Sequence, residues 1–338
     1  MPASNRVLSS VQSVSDRIKS GAFPEWCCPV HKKPLRDKGD VLICADGDSF
    51  PQTKGLPRFV PNDNYAASFG PQWRQYRLTQ LDSYTKVPLS KDRARRAIGE
   101  ELWNQLAGKQ VLECGCGAGR FTEVLLEQGA SVTSFDLSDA VDANQESFPQ
   151  NTTHRVAQAD IFQLPFAPQQ FDVVFCLGVL QYTADSEKSI AYLYEQLKPG
   201  GTLVIDQYKH RFSWYTKTAP LFRFYLRRLP ADKGMKYTES LVNVLLPLHK
   251  MARRFYPAQV ILSRLSPVQS YYYAHPYFND DLHRAWALLD THNCLTGWYR
   301  HARTRGQLRQ TLTQLGLQDV WCEYGGNGVE ARGKRPRS

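Results

Sequence analysis

Lys109-Gln-Val-Leu-Glu-Cys-Gly-Cys-Gly-Ala-Gly119 decides how this chain is read. Val111 and Leu112 sit in a short apolar run of strand character, glycines follow at alternate positions, and Arg120 to Gln128 turns helical. Glycines between a strand and a helix let the backbone turn sharply and approach a ligand closely. Gly115, Gly117 and Gly119 follow a G-x-G-x-G spacing, not the G-x-G-x-x-G of the dinucleotide fingerprint. Glu113 at the strand end adds a carboxylate that suits an ammonium group and repels phosphate. A methionine-type ligand fits this loop better than a pyrophosphate.

Working outward, Ala130 to Asp136 is a second strand, and Asp136 stands where an acid would accept hydrogen bonds from ribose hydroxyls. Further strands are expected near His154 to Ala157, at Phe171 to Cys176 and at Thr202 to Asp206, the last preceded by the Leu197-Lys-Pro-Gly-Gly201 turn. Strands alternating with helices predict an α/β fold with a doubly wound parallel sheet. The expected organisation is an N-terminal helix over 1–21 (Val7, Val11, Val14 and Ile18 on one face), a Cys/Pro/Gly-rich segment over 22–61, and lead-in helices over 62–108. The core spans 109–208 and 306–334, and 209–305 is a helical, aromatic insertion that builds the substrate pocket.

These motifs resemble those of class I S-adenosylmethionine-dependent methyltransferases. Glu113 to Gly119 is similar to that family's first motif, and Asp136 with Leu137 to its ribose-binding acid. Ala159-Asp160-Ile161 is similar to its adenine-holding segment, and Phe171 to Tyr182 to its fourth-strand motif, with Leu177 and Gln181 as cofactor contacts. The resemblance covers about 109 to 206 and implies a Rossmann-like, seven-stranded sheet. Many relatives carry His at the position of Tyr182, so a base there is not carried over. Asn64 to Arg77 resembles a segment that folds over the cofactor as a lid, which implies contacts from Phe69, Gln72, Trp73 and Arg77, the last for the methionine carboxylate. Upstream, Cys28-Pro-Val-His31 and Cys44-Ala-Asp-Gly-Asp48 resemble a degraded zinc ribbon, with Phe50-Pro51 and Gly55-Leu56-Pro57 retained. Cys28, His31, Cys44 and Asp48 are the candidate ligands of a structural zinc, with Cys27 as an alternative donor.

The 338 residues carry a formal charge of +10. Between Tyr208 and Gln310 there are 17 Lys/Arg against 5 Asp/Glu, so this stretch accounts for the excess. A solvated basic face competes there with attraction to an anionic substrate, a nucleic acid or a membrane. The eight cysteines lack the spacing of a disulfide framework, no apolar run is long enough to span a bilayer, and residues 1–20 lack a signal-peptide core, so a cytoplasmic protein is expected.

Methyl transfer needs in-line geometry first, and a base only for a protonated acceptor. Asp290, His292 and Tyr208 are the candidates for that base. The preferred acceptor is a small molecule or glycan, anionic and lipid-linked ones included, methylated at oxygen or nitrogen. RNA is the second reading, although Cys176-Leu-Gly-Val179 lacks the Asn/Asp-Pro-Pro-aromatic tetrapeptide of many base-nitrogen methyltransferases. A membrane-docking or binding protein is the third, because Phe212 to Tyr215 and Leu221 to Arg228 interleave aromatics with arginines.

Overall fold

The computed structural model describes residues 23–61, 63–210 and 217–337. The helix expected over 1–21 and the aromatic run at 212–215 lie outside the described residues.

The chain opens with a small antiparallel sheet of β1 (Arg36–Asp37), β2 (Val41–Ile43), β3 (Ser49–Thr53) and β4 (Leu56–Pro57), paired in that order. The main sheet holds β5 (Gln110–Cys114), β6 (Ser131–Asp136), β7 (His154–Gln158), β8 (Phe171–Cys176) and β9 (Leu197–Lys209). The two-residue β10 (Ala302–Arg303), β11 (Gln318–Gly325) and β12 (Gly328–Lys334) complete it. Seven strands run in the order β11-β12-β9-β8-β5-β6-β7, and β10 adds a short parallel pairing to the end of β9. Strands β5 to β9 are mutually parallel, while β12 is antiparallel to both β9 and β11. This is the doubly wound, seven-stranded α/β sheet expected from the motifs.

Every residue of β5 is buried, because helices cover both faces, and Val111, Leu112, Val173, Val174 and Val204 fill the middle. Strand order reverses between β5 and β8, and ligands of such sheets bind beyond the carboxyl ends at that switch.

Edge strand β7 is covered rather than bare. Phe59 N donates to Gln158 O (2.8 Å) and Cys27 N to Pro165 O (2.8 Å). The Arg155 guanidinium lies 4.0 Å from the Trp26 ring centre, and Trp26 stacks on Phe166 at 5.2 Å. The small sheet is thereby fastened to the main one.

Between β9 and β10 come helices Ala219–Leu226, Ala231–Ala252, Tyr256–Leu265 and Asp280–Thr296. Val242, Leu246, Val268, Tyr272, Ala287 and Leu288 give them an apolar core of their own. Hydrogen bonds join this layer to the lead-in segment around helix Gly70–Gln75: Gln72 Nε2 donates to Asn293 Oδ1, Gln75 Nε2 donates to Glu239 Oε1 (3.1 Å), and His292 Nε2 donates to Ser68 O (3.1 Å).

Candidate cofactor and acceptor site

A cavity opens at the carboxyl ends of β5, β6 and β8, with the lid segment above it. Gly115 has φ +71° and Gly117 φ +51°, which glycine adopts without steric cost. A Cβ at Gly115 would overlap Val179, and one at Gly117 would lie 3.2 Å from Trp73. These residues must be bare where the loop meets its cover.

Of the residues the sequence marks for the cofactor, Phe69, Trp73, Gly115, Gly117, Asp136, Leu137, Asp160 and Ile161 line this cavity together. Asp136 is braced for an acceptor role. Its Oδ2 takes the Gly117 amide (3.0 Å) and its Oδ1 takes the Ser138 amide (2.9 Å) and hydroxyl (2.7 Å). Burial raises its pKa against those hydrogen bonds. Among the described residues no lysine or arginine lines the cavity. Two carboxylates and no cation reject a pyrophosphate and suit a ribose diol, an adenine amine and a sulfonium. The residues present fit S-adenosylmethionine.

Other expected contacts lie elsewhere. Glu113 does not reach the cavity: its Oε2 accepts from Thr122 Oγ1 (2.6 Å) and Ser134 Oγ (2.7 Å) beneath the loop, and burial raises it to about 7. Gly119 starts helix Arg120–Glu127 against Phe148, outside the lining. Arg77 faces outward, bonding Ser147 Oγ (3.0 Å) and Glu146 (2.8 Å), so it is not positioned for a methionine carboxylate. Gln72 is buried against Asn293, and Leu177 belongs to the core beside Phe175. Gln181 is buried behind the wall, where its main-chain oxygen accepts from His301 N (2.8 Å). Tyr65, Phe135, Gly178, Val179, Tyr182, Thr183 and Asn293 also line the cavity. Gly178, directly after the fourth strand, carried a readable signal; Asn293, more than 150 positions from the loop, carried none.

Behind the cavity wall lies a polar cluster. The Tyr182 and Tyr208 hydroxyls are hydrogen-bonded at 2.6 Å, and Tyr271 donates to Asp290 Oδ2. Burial raises Asp290 and Tyr208, and the Asp290 charge raises Tyr208 further. Burial also lowers Arg120 to about 10; its Nε donates to Ser90 Oγ (3.0 Å), and it makes no ion pair among the described residues. His292 stands apart from this cluster. Burial lowers it to about 4, Nε2 is committed to Ser68 O, and Nδ1 lies 3.3 Å from Thr238 Oγ1. It is a clasp between lid and insertion rather than a base.

The cluster is steadied from below. Asp206 Oδ1 takes the Gly178 amide (2.6 Å), and its Oδ2 pairs with Arg93. Glu330, fully buried on β12 opposite Asp206, takes Arg96 through two bonds of 2.7 Å.

In the small sheet, Cys28 Sγ lies 3.6 Å from His31 Nδ1 and 3.1 Å from Asp48 Oδ2. Cys44 Sγ lies 3.9 Å from His31 Nδ1, which is 2.8 Å from Asp48 Oδ2. All four donor atoms fall within 4.8 Å of one another. Tetrahedral zinc with these ligands separates its donors by roughly 3.3 to 3.8 Å, so the set fits such an ion. Cys27 is not part of it; its thiol faces Glu25 O.

A methyltransferase domain model matches residues 112–205. A ubiquinone biosynthesis O-methyltransferase of Pseudomonas entomophila is 31% identical over 129 residues, 37% of this chain and 55% of that protein. A demethylmenaquinone methyltransferase of Tropheryma whipplei is 31% identical over 158 residues, 45% of this chain and 63% of that protein. The chain thus spans about half the length of the curated relatives it matches. Among solved structures, an S-adenosylmethionine-dependent methyltransferase from Mesorhizobium loti is 17% identical at a TM-score of 0.43, covering 73% of this chain and 98% of that one. The glycine loop with its acid on the next strand, the strand order and the domain match agree: over residues 112–205 this chain carries a methyltransferase domain, on a sheet with the class I S-adenosylmethionine-dependent fold.

Proposed function

We propose that the chain transfers a methyl group from S-adenosylmethionine to an oxygen of a compact, hydroxylated small molecule seated against the Tyr182–Tyr208 pair. The relatives named for quinone methylation support a small-molecule acceptor. The observation that carries the reading is the buried cluster of Tyr182, Tyr208, Tyr271 and Asp290 directly behind a wall of the cofactor cavity.

Bound S-adenosylmethionine supplies an electrophilic methyl on a sulfonium. Asp136 holds the ribose hydroxyls and Asp160 the adenine end. Phe69, Trp73 and Tyr65 exclude water, so that the fixed dipoles around the cavity act at full strength. Tyr182 orients the acceptor hydroxyl through its own hydroxyl, whose position Tyr208 fixes. Asp290, whose proton affinity burial raises, takes the acceptor proton. Arg120 favours an acceptor bearing negative charge.

Calorimetric titration with S-adenosylmethionine and S-adenosylhomocysteine tests the cofactor site. Binding by the wild type and its loss in Asp136→Ala are expected; no binding by a folded wild type sinks the reading. With an acceptor found by screening hydroxylated compounds for S-adenosylhomocysteine release, Asp290→Asn should lower kcat by about 100-fold or more, with cofactor affinity unchanged. Undiminished kcat in that variant would remove Asp290 as the proton acceptor.

We also infer that Cys28, His31, Cys44 and Asp48 hold a structural zinc, on the convergence of their donor atoms. The ribbon it closes braces edge strand β7 and, through Arg58 on Gln158 Oε1 (3.1 Å), the Gln158 side chain that bonds Leu137 O beside the cavity.

A further inference from the structure

Three neighbouring helices of the insertion present apolar side chains to solvent. Helix Ala219–Leu226 exposes Leu221 (74%) and Phe224 (64%). Helix Tyr256–Leu265 buries none of its ten residues and exposes Ile261 and Leu265. Helix Ala231–Ala252 exposes Val244, Leu248 and Met251, whose spacing puts them on one face. The elements adjoin. Thr218 donates from N to Arg264 O (3.0 Å) and from Oγ1 to Leu265 O (2.7 Å), seating the first helix on the end of the third. Gln259 reaches His249 Nδ1 at 3.1 Å, tying the third helix to the second. Single exposed apolar residues are ordinary, but a cluster on adjoining helices marks a contact surface.

The charge on this surface states what it contacts. Residues 217–265 hold ten Lys/Arg and two Asp/Glu. Lys233, Lys236, Arg253 and Arg254 form no ion pair among the described residues. Arg228 lies 4.0 Å from the ring centre of Phe224, an aromatic with a cation at its face.

We propose that this surface docks on an anionic lipid bilayer, with Leu221, Phe224, Ile261, Leu265 and Met251 in the interfacial region and the surrounding Lys/Arg on the headgroups. Amphipathic helices bind in this way, by apolar burial together with attraction to anionic lipid. An RNA would stack on aromatic rings and gain little from Leu221, Val244, Ile261 or Leu265. A second copy of the chain would set one basic face against another. No described helix is long and apolar enough to cross a membrane, so the contact is peripheral. The surface adjoins the acceptor side: Arg227 lines a pocket with Leu229 and Trp298 that shares Tyr65 with the cofactor cavity. Vesicle binding requires neither cofactor nor acceptor, so this proposal and the methyl-transfer reading stand or fall separately.

The test is co-sedimentation of the full chain with vesicles of phosphatidylcholine alone and of phosphatidylcholine and phosphatidylglycerol in equal parts. The bound fraction should be about fivefold higher or more on the anionic vesicles, and should fall with added salt. Leu221→Ser with Ile261→Ser, and separately Arg253→Glu with Arg254→Glu, should each lower it by about fivefold, with an unchanged circular dichroism spectrum. Absence of wild-type sedimentation, or equal binding to both vesicle types, overturns the proposal. So does binding of RNA without vesicles, or an apolar variant that turns a dimer into a monomer while leaving vesicle binding intact.

Discussion

Glu113 places a carboxyl group where, among the described residues, no cation pairs with it; the hydroxyls of Thr122 and Ser134 and the Thr122 main chain serve it. Burial lifts its pKa from 4.5 to about 7. Between those values the folded chain binds the proton and the unfolded chain does not, so stability falls as pH rises through this window. Glu113→Gln removes the titration. Its unfolding free energy relative to wild type should climb between pH 4.5 and 7 and level off above, by on the order of 3 kcal/mol. Denaturant melts across pH 4.5–8 check this, and a difference that stays flat would show that Glu113 ionises without cost. The same residue shows the limit of reading sequence at this scale. The loop's position was legible because glycine spacing and the Asp136 offset are local properties. The direction of the Glu113 side chain was not, because it depends on Thr122 and Ser134 from two other elements. Arg77 failed in the same way: a plausible charge at a plausible position turned outward to Glu146.

At the scale of elements, the small N-terminal sheet has few buried apolar residues of its own, Leu42, Leu56 and Phe59 among them, and on the proposed zinc reading it gains closure from its four donors. Small modules of this kind draw folding energy from the bound metal. Elemental analysis of the purified protein should find about one zinc per chain, and Cys44→Ser should lower its content together with Tm, by about 5 °C. A metal-free wild type with the same Tm as the variant would leave the cluster a relic. The four candidate ligands were legible because they lie in two short stretches, 28–31 and 44–48, whose spacing is local. The docking of the sheet on β7 was not, since Arg155, Trp26 and Phe166 come from three separate segments with no pattern in common. The insertion's helices were legible as helices, yet the side of each that faces the site was not. Hence Asp290 and His292, two positions apart on one helix, part company: one enters the polar cluster and the other clasps the lid.

Across the whole molecule, the acids of β9 and β12 and the arginines of helix Leu89–Ile98 form a buried brace. Breaking a buried pair leaves an uncompensated charge, so Glu330→Ala should cost on the order of 3 kcal/mol, somewhat offset because Arg96 is half exposed and can hydrate. Urea denaturation measures it, and a change below about 0.5 kcal/mol would mean that solvent already serves the brace. Asp206 also holds the Gly178 amide at the cavity wall, so the brace reaches the cofactor site.

That brace has a temporal side. Strand β12 follows the other described strands in sequence, yet it lies inside the sheet, between β11 and β9. While a ribosome is still adding residues 328–334, β9 has an open edge and Arg96 lacks its buried carboxylate. The glycine loop, synthesised some two hundred residues earlier, waits on an unfinished wall. The brace can close only once β12 has been made, well after the loop it supports.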